Sequence, residues 1–121
     1  MAKNFALVLG VILLLVGLWG AFTGGGDHNL IVFGINGLHN WVHILSGVVA
    51  ILAALAGERY AKMYCLVFGA IYGLVTIAGF LKIAAVVQLL NLNMADNILH
   101  LLIAVASLWV GTQSKVAVAT A

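Results

Sequence analysis

The chain has no proline, a single cysteine, Cys65, and little charge: five Lys and Arg against three Asp and Glu. Each shortage excludes something. Without proline, no helix need be broken by a missing N–H or a ring clash. One cysteine cannot close an internal disulfide, and Cys65 reads as a small apolar packing residue. A net charge of +2 spread over 121 residues gives no basic surface for nucleic acid, so no nucleic-acid partner is inferred. Catalytic groupings are also missing. No serine or cysteine stands beside a histidine as an activated nucleophile, and no phosphate-binding glycine loop precedes a suitable helix. The chain therefore reads as non-enzymatic.

What is present is apolar. Hydrophobic residues make up 65% of the chain and its mean hydropathy is +1.24, more apolar surface than a soluble domain of this length can hide. Four apolar runs, Phe5–Phe22, Trp41–Ala56, Met63–Phe80 and Ile98–Val110, each extend to roughly the 20 residues needed to cross a bilayer. The breaks between them are Thr23–His28 with its Gly24-Gly25-Gly26 run, Gly57–Tyr60, and Asn91–Asn97. Leu30–Ile35 and Ile83–Leu92 are apolar but too short to cross, and are expected to lie at the membrane surface or prolong a neighbouring helix.

Lys3, Arg59, Lys62 and Lys115 fall on one side of a four-span chain, which the positive-inside rule makes cytoplasmic, together with both termini and a tail over 113–121. Asp27, His28, Asp96 and Lys82 fall towards the other side. Trp19 and Trp41 are expected at the outer interface, and Tyr60, Tyr64 and Trp109 at the inner one, as an aromatic belt. Lys3 followed by an apolar run also resembles a signal peptide, but an internal repeat argues for a retained span.

Asn36, His39, Asn40 and His43 recur as Asn93, Asp96, Asn97 and His100, 57 residues on in every case, and the match continues to Gly47 and Ala104. The first and third segments align too, Lys3, Phe5 and Gly10 with Lys62, Tyr64 and Gly69, at a shift of 59. Duplication of a two-helix unit explains both shifts. The fold expected is all-α: a membrane four-helix bundle of two tandem hairpins, about 3–57 and 62–112, in the same orientation and related by a pseudo-twofold axis along the membrane normal. Gly10, Gly47, Gly69, Gly73 and Ala104 are expected to pack helix against helix, since small residues let backbones approach in lipid. They would serve a homodimer equally well.

Asn36, His39, Asn40, His43 and Gly47 form one stripe on the second segment, and Asn93, Asp96, Asn97, His100 and Ala104 form its counterpart on the fourth. Polar stripes in a membrane face protein, with Thr76 at the depth of the two deeper histidines. Three readings are open. In the first, Asn36 and Asn93 cap their helices while Asn40, Asn97, His43 and His100 hydrogen-bond across the interface, with no ligand. In the second, the i, i+4 pairs His39/His43 and Asp96/His100 bind zinc or copper, or one histidine, His43 or His100, serves as an axial ligand to haem or chlorophyll. In the third, the same groups relay a proton or ion, although no further charged residue continues the path inward. The function expected is a structural or accessory subunit of a membrane assembly, or a homo-oligomer, with metal binding and transport as alternatives.

The run Asn93-Met94-Ala95-Asp96-Asn97-Ile98-Leu99-His100 resembles the Asn-x-Ala-Asp-Asn-x-x-His signature of a bacterial family of small four-helix membrane proteins catalogued as a domain of unknown function. The likeness takes in His39 to His43 and Tyr64 to Gly69. It departs at Met94, where that family often has threonine. The resemblance implies a four-span fold in a bacterial membrane and implies no activity.

Overall fold

A computed structural model describes residues 1–118; the last three residues of the expected tail lie outside the described residues. The elements are α1 (Ala2–Thr23), β1 (His28–Leu30), β2 (Phe33–Ile35), α2 (Gly37–Ala56), α3 (Glu58–Phe80), α4 (Ala84–Leu90) and α5 (Met94–Gln113). Helices α1, α2, α3 and α5 are long and apolar enough to cross a membrane, and together they make a four-helix membrane bundle. Its outer faces carry exposed Val8, Leu15, Leu52, Leu74 and Leu102, side chains suited to hydrocarbon. The interior holds alanines, glycines and the polar stripes, as expected where lipid rather than water is the solvent.

Helix α1 packs closely on α2, and α3 on α5. In the first pair the backbones nearly touch: a Cβ at Gly10 would stand 2.8 Å from the Gly47 carbonyl oxygen, and one at Gly47 2.6 Å from the Gly10 oxygen. In the second pair, Gly69 meets the Leu108 side chain and Gly111 meets Leu66. Gly73 has only the Ala104 methyl near it, 4.0 Å from an added Cβ, so it is not a close-approach position, although the sequence pattern singled it out. Gly57, with φ of 124°, forms the whole connection between α2 and α3, a conformation that a side chain would strain.

Both hairpins use the same contacts. Asn40 presses on Gly20 of α1 and Asn97 on Gly79 of α3, pairs related by the shifts of 59 and 57 residues found in the repeat. The chain start, the α2–α3 connection and Ser114 share one end of the bundle. There Glu58 accepts from the Met1 N-terminal ammonium and from the amides of Ala2 and Lys3, and the Lys62 ammonium donates to the Ser114 carbonyl at 2.8 Å.

The opposite end is where local structure departs from expectation. Leu30–Ile35 neither lies flat as a surface segment nor extends a helix. It lies within an antiparallel hairpin, with His28 paired to Ile35 and Leu30 to Phe33. The turn puts Ile31 at φ of 58°, which costs a β-branched residue about 1–3 kcal/mol. Side chains from the second repeat hold the hairpin in place. Asn91 Nδ2 donates to the carbonyls of His28 and Ile35, and Asn93 Nδ2 to that of Val32. Tyr64 also departs from the expected aromatic belt. It is buried, with its hydroxyl donating to the Ser46 carbonyl at 3.0 Å.

Candidate histidine site

The polar stripes begin at matched helix starts. Asn36 is extended and its Oδ1 accepts from the His39 amide at 2.9 Å; Asn93 does the same for the Asp96 amide at 3.1 Å. Asparagine is favoured at this position because its side chain satisfies an amide that the helix leaves free. These caps fix the phase of both helices. One turn further in, His39, His43 and His100 then point into the bundle.

The three imidazoles form one group. Ring centroids are 4.5 Å apart for His39 and His43, 5.6 Å for His39 and His100, and 6.1 Å for His43 and His100, all edge-on. One ring nitrogen from each lies within 4.8 Å of the other two. The side chains are 1%, 6% and 3% exposed. Both ring nitrogens of His39, and Nδ1 of His43 and of His100, are buried without a hydrogen-bond partner. Backbone groups of Leu90 and Gly34 stand beside the His39 ring, short of hydrogen-bond geometry.

The remaining predicted residues are placed differently. Asp96 is not in the donor group. Its Oδ2 accepts from the Asn93 amide at 2.8 Å and from the Gly34 amide of β2 at 3.0 Å, which closes a capping box and ties the strand to α5. Asn40 and Asn97 make no hydrogen bond to the opposite histidines; Asn40 Nδ2 and Asn97 Oδ1 are themselves unpaired. The physical reason is that both amides are turned against Gly20 and Gly79 of the neighbouring helix. The Thr76 hydroxyl donates within α3 to the Tyr72 carbonyl at 2.7 Å. His28 lies outside the cluster, its ring held by Thr23 and Gly26.

One part of the site was missed in the sequence. Tyr64, Phe68 and Tyr72 stack along α3 with centroids 4.7 and 4.1 Å apart, and Tyr72 meets His100 edge-on at 5.1 Å. Their spacing of four residues is the signal that would have found the column. Helical side chains lean towards the helix N-terminus, so Tyr72 offers its ring to the histidines while its hydroxyl leans away.

Chemically, three imidazoles converging in an apolar interior each offer one N–H donor and one lone pair, and one nitrogen from each faces the other two. Residues 3–113 match the family described as DUF4383, a domain of unknown function. The chain belongs to that family. No curated protein and no solved structure matches it significantly. Membership of DUF4383 supplies no activity.

Proposed function

We propose that this DUF4383 protein is a non-enzymatic membrane protein, an accessory subunit or homo-oligomer, that holds one transition-metal ion on His39, His43 and His100. The observation that carries the reading is the convergence of three buried, hydrogen-bond-free imidazoles from two helices. An unpaired polar group away from water costs about 1–3 kcal/mol. A cluster of them is unfavourable unless something is gained in return, and a metal ion provides that gain. His–metal bonds of about 2.0–2.1 Å require donors about 3.3–3.6 Å apart, within reach of small side-chain rotations from 4.8 Å. The closed surroundings suit a holding role better than a catalytic one, which needs an open ligand position.

The protein purified in mild detergent without chelator should carry close to one metal ion per chain by elemental analysis, in a species larger than a monomer. If it is metal-free and takes up none of copper, zinc or cobalt, the histidine-site reading fails, and water-filled polar packing replaces it.

The same reading orients the bundle. Arg59, Lys62 and Lys115 lie near the end that holds Met1 and Ser114, so that end faces the cytoplasm of a bacterial inner membrane and the histidines lie towards the far leaflet. A tag at the C-terminus should be cleaved in inverted vesicles and protected in right-side-out ones. The reverse pattern would overturn the orientation.

A further inference from the structure

We infer that the ion held by the three histidines is monovalent copper rather than a divalent metal. This rests on the histidine-site reading above and goes beyond it by assigning charge and coordination number.

The argument starts from charge. The donor group contains three imidazoles and no thiolate or carboxylate. The cost of transferring an ion into a low-dielectric interior grows as the square of its charge, so a divalent ion is penalised about four times as heavily as a monovalent one of equal size. One counter-charge stands near. The Asp96 carboxylate accepts from the Gly34 amide, and the His39 ring lies against the same Gly34 backbone. One carboxylate cancels a monovalent ion and leaves a divalent one with unbalanced charge. Asp96 itself lies outside the group of converging donor atoms, its Oδ2 holding Asn93 and Gly34.

Coordination number points the same way. Zinc in protein sites is almost always tetrahedral, so it needs a fourth donor beside the three rings. No fourth histidine, cysteine or carboxylate joins the group among the described residues. The Tyr72 ring packs edge-on against His100 on one side, and the hairpin strand carrying Gly34 and Ile35 covers another, both residues buried. The site also admits little solvent to supply water or hydroxide, as the 1–6% exposure of the rings indicates. Monovalent copper, a filled-shell ion, is satisfied by three nitrogens in a plane. Imidazole is among the ligands suited to copper. Sodium and potassium, also monovalent, prefer oxygen and gain nothing here.

The test is a competition on the intact protein in detergent or nanodiscs, without oxygen. Separate samples are equilibrated with ascorbate-reduced copper, silver(I) as a surrogate that needs no reductant, zinc(II) and cobalt(II), each against a chelator of known affinity. One copper(I) or silver(I) per chain is expected, with zinc(II) and cobalt(II) at least about tenfold weaker and cobalt showing no tetrahedral absorption bands. Equal or tighter binding of zinc or cobalt overturns the monovalent assignment and leaves the histidine site standing. Failure of all four ions to bind overturns the site itself.

Discussion

Alanine at His39, His43 or His100, introduced singly, should lower metal affinity more than about 100-fold and abolish stoichiometric retention through a desalting column. Asp96→Asn should cost only about tenfold, the lower end of the range for groups that support ligands without being ligands. The difference follows from geometry. Each histidine contributes one of three converging nitrogens, whereas the carboxylate is engaged by the Asn93 and Gly34 amides. Metal titration monitored by chelator competition measures both effects, and an Asp96→Asn loss as large as that of His43→Ala would make Asp96 a ligand. Stability of the metal-free protein supplies a second sign. His39 carries two buried, unpaired ring nitrogens, so His39→Leu should leave the apo protein unchanged or more stable, because apolar burial replaces polar burial. A loss of about 1–3 kcal/mol in the apo protein would instead mean that His39 is held by hydrogen bonds.

The spans and the polar stripes were legible in the sequence because membrane solvent imposes strong rules. Apolar runs of a set length, helix caps at Asn36 and Asn93, and stripes at helical spacing each follow from local chemistry. The repeat went further, since its shifts of 57 and 59 residues also relate Asn40 on Gly20 to Asn97 on Gly79. Orientation of individual side chains was not legible. Whether Asn40 turns towards a histidine or towards Gly20 depends on how closely α1 approaches α2, a tertiary quantity. Asp96 illustrates the same limit. Its spacing from His100 fits a metal pair and a capping box equally, and the strand amide of Gly34 decides between them. That strand was itself hidden, because Leu30–Ile35 is too short and too uniformly apolar for periodicity to separate a surface helix from a hairpin.

The closest backbone-to-backbone contact between helices makes the second large effect. Gly47→Ala should destabilise the bundle by about 1–3 kcal/mol, the usual cost of overpacking a site that cannot yield, while Gly73→Ala should be neutral or stabilising by up to about 1 kcal/mol from helix propensity. Both substitutions add one methyl to a glycine in a membrane-spanning helix. At Gly47 that methyl would meet the Gly10 carbonyl oxygen and the Leu14 amide nitrogen at 2.6 Å, backbone atoms that move only if α1 moves as a whole. At Gly73 the nearest atom is 4.0 Å away, an ordinary van der Waals contact. The repeat supplies an internal control, since the position equivalent to Gly47 is Ala104, buried at 2% exposure. The second hairpin therefore already accommodates the methyl that the first excludes, and Ala104→Gly should loosen it rather than tighten it. Equilibrium unfolding in mixed micelles reads all three variants. Equal effects at Gly47 and Gly73 would show that backbone contact between α1 and α2 does not set the stability of the first hairpin.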